Sequence, residues 1–257
     1  MDYILISLVV LTGTLLTFFS GFGLGTLMLP VFSIFFPIDF SIVATAMVHL
    51  SNNLFKFALV YKNIHYPTFL KFGIPAMAAA ILGGYLLVYI GKVTPIKGYS
   101  IGDNYFEITA IKLIIGSLML FFAWWELSPK TEKWHFNPKH LPIGGFLSGF
   151  FGGISGHQGA FRSVFLVNSG LSKEAFIGTS NSIALLIDIS RITVYINTLN
   201  FIPITQEYKI LIVAIIFAFV GTFIGNKLLK KTSLGFIKKT VGIFLFIMGL
   251  LLIIGLI

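Results

Sequence analysis

The sequence predicts an all-α polytopic membrane protein, with seven or eight hydrophobic helical segments in two pseudo-symmetric four-segment repeats. Three observations predict it. Of 257 residues, 56% are hydrophobic and 11% charged, where a soluble domain carries roughly 25% charged residues. Apolar runs near the ~20 residues that one helical crossing needs recur along the whole chain, leaving no stretch for a soluble domain. Two of these runs, in corresponding positions, are interrupted by glycine.

The first run, residues 3–36, is broken by Ser20-Gly21-Phe22-Gly23-Leu24-Gly25 and then Pro30. As one straight helix at ~1.5 Å per residue it would reach about 50 Å, well beyond a hydrocarbon core of ~30 Å, so it must tilt, break or fold back. Residues 41–61, 67–90 and 106–125 follow as spans, and Trp124, Trp125 and Trp134 fit an interfacial aromatic belt. The pattern then recurs: residues 141–167 are broken at 152–163, GGISGHQGAFRS, and residues 175–196, 208–229 and 236–257 complete the set.

Local matches align the halves: Ser20-Gly21 with Ser155-Gly156, Val43-Ala44-Thr45 with Ile177-Gly178-Thr179, and Gly83-Gly84 with the Gly221 to Gly225 stretch. The chain accordingly divides into a first transmembrane repeat, 1–136, and a second, 137–257, within one transmembrane domain. Internal repeats headed by broken helices are the pattern of secondary transporters, whose sites lie at the breaks. The N-terminal residues lack the basic region and cleavage site of a signal peptide, so the first run is expected to be retained.

Charge counting favours one topology. With Lys56, Arg162 and Arg191 set aside as intramembrane, 15 of the 18 basic residues lie in loops and span ends. If all eight segments cross, these divide nine against six. If both interrupted segments are re-entrant hairpins, Lys62, Lys71, Lys130, Lys133, Lys139, Lys173, Lys227, Lys230, Lys231, Lys238 and Lys239 gather on one side, eleven against four. That asymmetry is the positive-inside pattern; it predicts a multi-pass protein of the cell inner (plasma) membrane with both termini outside the cytoplasm.

Polar groups between two apolar half-runs sit at depth, where an ionisable residue is a functional-site hypothesis. The broken stretch supplies Ser155, Gly156, His157, Gln158, Gly159 and Arg162, which combine flexible backbone, exposed N–H groups and cationic donors suited to an anion. Close packing of small residues explains the glycines alone but not Arg162. The next span adds Ser180 and Asn181 as ligand donors. It also carries Asp188 and Arg191, three apart on one helix face, which read equally as a neutralising pair or as part of a site. In the first half, His49 reads as a hydrogen-bonded packing histidine and Lys56 as a residue that snorkels to the interface, with coupling or ion pairing as the other reading. Ser20, Gly21, Gly23, Gly25, Thr45 and Asn52 form the first-repeat counterpart. Lys56, Arg162 and Arg191 outnumber Asp188, and a bound anion would offset the excess.

Other chemistries are poorly served. Gly153-Ile154-Ser155-Gly156 fits the G-x-S-G of intramembrane serine proteases, but no histidine follows His157 to activate the serine. There is no Walker A sequence and no H-E-x-x-H, so no cofactor, metal or ATP hydrolysis is expected. The absence of cysteine excludes disulfides and thiol catalysis. The net charge of +9 comes mainly from loop lysines, and nucleic acid is not expected as a partner.

Over nearly its whole length the chain resembles the sulfite exporter TauE/SafE (TSUP) family, most specifically through SGHQGAFRSVFLVNSGLSKEAFIGTSNSIALLIDISRITVYI at 155–196 and SGFGLGTLMLP at 20–30. It departs from the common G-x-G-G-G-x-x-x-x-P pattern, keeping alternating glycines before Pro30 and replacing the second triplet with Gly156-His157-Gln158-Gly159. The resemblance implies export or uptake of a small anion such as sulfite, a sulfonate or a related organic acid, driven by an ion gradient. Arg162 would then bind the anion, residues 155–159 cradle it, Gln158 and Asn181 orient it, and His157 change protonation. Proton coupling and a homodimer stay open, as do a passive anion channel and a membrane accessory or receptor subunit.

Overall fold

The computed structural model describes residues 2–20, 24–93, 95–128, 136–167, 169–198, 208–228 and 234–257, with backbone alone at 2–3, 16–20, 24–26, 225–228, 234 and 236–237. Ten α-helices occur among them: α1 (Asp2–Ser20), α2 (Leu24–Phe35), α3 (Ile38–Val60), α4 (Tyr66–Gly91), α5 (Ala110–Leu127), α6 (Leu141–Ser155), α7 (Gly159–Val167), α8 (Lys173–Thr198), α9 (Tyr208–Leu228) and α10 (Leu234–Ile253). The second glycine-interrupted run is broken where the sequence breaks it, between α6 and α7, while residues 21–23 of the first break lie outside the described residues. Among the described residues, three stretches are long and apolar enough to cross a membrane: Ile38–Asn63, Tyr66–Gly91 and Ala110–Leu127.

The expected span at 106–125 is corrected at its start. Before α5 the chain forms an antiparallel hairpin, β1 (Lys97–Ile101) with β2 (Asn104–Ile108). Its two-residue loop puts Gly102 at φ +59, followed by Asp103 at negative φ, the requirement of a II′ turn. Helix α5 starts only at Ala110, where Thr109 Oγ1 accepts from Lys112 N at 3.2 Å. The hairpin is pinned to the residues just after α10: Tyr99 OH donates to Ile254 O, and Lys112 Nζ bridges Glu107 O at 3.2 Å and Gly255 O at 3.5 Å. Trp125 is also corrected, because it is buried against Phe161 at a centroid distance of 5.2 Å, while Trp124 is exposed as expected. Trp134 lies outside the described residues.

Helix directions follow from which residues meet. The carbonyls of Phe72, Ala76 and Ala80 on α4 face Gly145, Gly149 and Gly153 on α6 in ascending order, so these helices run parallel. Gly73 meets Leu186 and Gly84 meets Val194, which makes α8 parallel to α4 as well. Helices α4, α6 and α8 therefore start at one end of the bundle. The opposite end holds the β-hairpin with Lys97 and Lys112.

Helices α6 and α7 fold back on each other. Gly152 abuts Gln158 near the turn, Gly144 abuts Phe165 lower down, and Phe136 stacks on Phe165 at 4.2 Å. Ser169, just past α7, lines a cleft of about 290 Å³ together with His65, Lys71, Lys139 and Leu141. The segment thus enters and leaves at the same end, as a helical hairpin whose turn is buried. Small residues make this approach achievable: a Cβ at Gly145, Gly149 or Gly153 would stand 2.2, 2.0 and 2.2 Å from an α4 carbonyl oxygen. Helix α6 packs most extensively on α4, and α1 on α9; α3 packs against α8, and α5 against α10.

Candidate functional site

The buried turn of the hairpin is built on one glycine. Gly156 follows α6 at φ +79, where other residues incur roughly 1–2 kcal/mol. Its N–H donates to Gly152 O at 2.9 Å, and Gln158 N–H donates to Gly156 O at 2.9 Å. A Cβ at Gly156 would lie 2.7 Å from Arg191 Nη1. Gly156→Ala is expected to add displacement of Arg191 to the dihedral strain. Gly170→Ala, at φ +71 with nothing within 4 Å, carries the strain alone. Thermal melts of the two variants in detergent check this, with Gly156→Ala melting lower.

Three elements converge on this turn. On α3, His49, Asn53 and Lys56 share a stripe at i, i+4, i+7; on α8, Asp188 and Arg191 share one at i, i+3. The hairpin supplies His157, Gln158 and Arg162. Asp188 is fully buried at the centre. Its Oδ2 accepts from His49 Nδ1 at 2.7 Å and from Asn53 Nδ2 at 2.6 Å, while Oδ1 accepts from Gln158 Nε2 at 3.0 Å and lies 2.9 Å from Arg191 Nη2. Gln158 Oε1 in turn accepts from Arg162 Nη1 at 2.9 Å, and Arg162 Nε donates to Ser180 Oγ at 2.8 Å. The Gln158 amide is therefore oriented from both ends, oxygen toward a cation and NH2 toward a carboxylate. Asn181 Nδ2 donates to Asn53 O at 3.1 Å and ties α8 to α3.

Some buried nitrogens meet no hydrogen-bond partner. Among the described residues these include the donors Nε and Nη2 of Arg191, the latter with only its ionic contact to Asp188, and His157 Nε2. Each such group costs about 1–3 kcal/mol when left unsatisfied. They lie beside one another at the turn, since Gly156, next to His157, abuts Arg191. The His157 ring is held by stacking on Phe122 at 5.0 Å and 10°, with Nδ1 2.9 Å from Ser155 Oγ. Lys56, partly buried, is close enough to Arg162 for the two cations to repel. Three cations therefore gather around one carboxylate.

The structure thus joins His157, Gln158, Arg162, Ser180, Asp188, Arg191 and His49 into one cluster, with Asn181 at its edge and Gly159 buried as the first residue of α7. One sequence expectation is corrected: Lys56 faces this cluster rather than snorkelling to an interface. His49 is buried and hydrogen-bonded, with Asp188 as its partner. Ser155 and His157 are within reach of each other. However, Ser155 Oγ also donates to Phe151 O at 3.1 Å, and among the described residues no third group orients His157 Nε2, as a nucleophile and its base require.

In the first repeat, Gly21 and Gly23 lie outside the described residues, and Ser20 and Gly25 are described as backbone only, at the end of α1 and near the start of α2. Thr45 and Asn52 are buried on α3, where Asn52 Oδ1 accepts from Thr222 Oγ1 of α9 at 2.6 Å. Asn53 is the cluster member the sequence offered no reason to prefer over Asn52, although spacing with His49 and Lys56 marks it.

The fold and site together define a helical membrane protein whose polar cluster surrounds a buried helix break. The sequence matches the family described as Sulfite exporter TauE/SafE over residues 5–252. The chain belongs to that family, and it is a membrane transporter of the sulfite or anion exporter type. No curated protein matches the chain.

Proposed function

We propose that the protein is a secondary transporter that exports a small oxyanion or sulfonate by alternating access, with the hairpin turn as its binding site. The observation that carries this reading is the pair of buried Arg191 donors without hydrogen-bond acceptors, Nε and Nη2, inside a cluster of three cations and one carboxylate. An anion would satisfy those donors and offset the charge, and the N-terminus of α7 adds N–H groups at the same place. Arg162 supplies charge from the far side of Gln158, and Ser180 and Asn181 line the approach.

The repeat organisation supports alternating access. The first arm of the α6 and α7 hairpin packs on α4 of the other half, and α1 packs on α9. Glycine makes both contacts close, at Gly83 against Phe150 O and at Gly221 against Leu11 O. The end of the bundle where α4, α6 and α8 begin carries Lys62, Lys71, Lys139 and Lys173, which supports placing that end in the cytoplasm of a cell whose inner membrane holds the protein.

Uptake of labelled sulfite and methanesulfonate into proteoliposomes tests the reading. Loss of a charged hydrogen bond is worth about 1.5–3 kcal/mol, so Arg162→Ala should lower uptake by one to two orders of magnitude at about 1.4 kcal/mol per decade. Arg162→Lys should retain part of it. Full-rate uptake by a folded Arg162→Ala protein would overturn the assignment, and ion currents without saturation would make the protein a channel.

A further inference from the structure

The Asp188 network contains a proton-binding group joined to the anion site by a single side chain. His49 Nδ1 and Asn53 Nδ2 share one oxygen of Asp188, at 2.7 and 2.6 Å. A carboxylate only accepts, so the neutral imidazole carries its proton on Nδ1, and a second proton would enter at Nε2. The other Asp188 oxygen accepts from Gln158 Nε2, whose Oε1 holds Arg162. Only one orientation of that amide satisfies both neighbours; reversing it would set NH2 against guanidinium and oxygen against carboxylate.

We propose that His49, held by Asp188, takes up the proton that accompanies the anion, and that Gln158 links the two events. This rests on the anion site proposed above. The charged groups facing His49 are Lys56 on its own helix and Asp188 and Arg191 on α8, while Arg162 on α7 acts on Asp188. His157 at the turn and Tyr195 on α8 are the neighbouring neutral titratable groups. Helix α9 contributes the non-titrating Thr222 through Asn52, and α2 carries no titratable residue.

Without an anion, an imidazolium at position 49 is repelled by two cations, Lys56 and Arg191, and attracted by one carboxylate that Arg191 already shares. An anion seated on Arg191 cancels part of that positive field. It also competes with Gln158 Oε1 for Arg162; once the amide lets go, its NH2 no longer occupies Asp188, and one fewer donor competes with the imidazolium for the carboxylate. The only bond made is N–H at His49 Nε2, and the proton leaves by the same atom when the anion departs. Anion and proton then bind with positive cooperativity, which linkage makes reciprocal.

Calorimetry on the purified protein, titrated with methanesulfonate in two buffers of different ionisation enthalpy, reads protons taken up per anion. That sulfonate stays ionised throughout, so it contributes no proton of its own. At the midpoint of the His49 titration, wild type should take up about half a proton per anion, the most that a tenfold gain in affinity allows, and His49→Gln none. Wild type with 15N-labelled histidine should show His49 gaining about tenfold in proton affinity when the anion is added, within the usual range of site-to-site coupling; this measurement decides the matter if His49→Gln does not fold. Anion binding with no proton uptake and no change in the His49 titration would overturn the coupling and leave the anion site standing. A wild-type protein that binds neither methanesulfonate nor sulfite would overturn both.

Discussion

Asp188→Asn is expected to destabilise the protein by about 3–5 kcal/mol, the usual result of removing one partner from a buried ion pair. Asp188 is fully buried and Arg191 is 1% exposed, so solvent cannot take over the abandoned charge. Three other donors converge on the same carboxylate, from His49, Asn53 and Gln158. An asparagine keeps one oxygen but turns an NH2 toward at least one of those donors. A thermal melt in detergent should fall on the order of 10 °C, by the scaling for chains of this size. Replacing both charges, Asp188→Asn with Arg191→Gln, should recover a large share of that loss, because no uncompensated ion remains. A single variant that melts within a degree of wild type would show that Arg191 finds another acceptor.

Gly149→Val should prevent accumulation of folded protein. A Cβ at Gly149 would stand 2.0 Å from Ala76 O and 2.6 Å from its carbonyl carbon. Both atoms belong to backbone, so no side-chain rotation relieves the clash, and α4 and α6 must separate along their whole contact. Overpacking commonly costs about 1–3 kcal/mol where side chains can adjust; here they cannot, and the branched side chain adds further bulk. Gly149→Ala should fall at the upper end of that range. Gly102→Ala serves as the control, since nothing lies within 4 Å of its added carbon, and only the II′ turn is strained. Size-exclusion profiles of detergent extracts would separate the three: near wild type for Gly102→Ala, diminished for Gly149→Ala, absent for Gly149→Val. A monodisperse Gly149→Val peak at wild-type yield would contradict the close contact.

What could be read in advance was what short-range spacing encodes. The interruptions at 20–25 and 152–163 are visible because glycine and polar residues cannot continue an apolar helix unnoticed, and Asp188 with Arg191 reads as a pair from three-residue spacing alone. The contact of His49 with Asp188 spans 139 positions, and nothing local to either residue signals it. Lys56 was misplaced for the same reason: its distance along the chain to Tyr61 suggests an interface, whereas the packing of α3 on α8 turns it inward. The β-hairpin did carry a signal, Gly102-Asp103 between Tyr99, Ile101, Tyr105 and Phe106, but counting apolar residues does not distinguish a strand from the start of a span. The glycines were ambiguous by nature. Gly149 and Gly156 look alike in sequence, yet one admits a neighbouring backbone and the other a left-handed dihedral.

The α4 and α6 contact has a further consequence for how its alignment is fixed. Gly145, Gly149 and Gly153 repeat every four residues, and so do the carbonyls of Phe72, Ala76 and Ala80 that they meet. Sliding α6 along α4 by one such step, about 6 Å at 1.5 Å per residue, would rebuild two of the three contacts. The stripe is therefore nearly degenerate along its length, and it sets the spacing of the helices far better than their alignment. Alignment is held by groups that do not repeat: Gly83 against Phe150 O, and Tyr195 OH donating to Gly153 O at 2.6 Å from α8. Through that tyrosine the helix bearing Asp188 and Arg191 locks the axial position of the hairpin, so any displacement of α8 is transmitted to the turn as a translation.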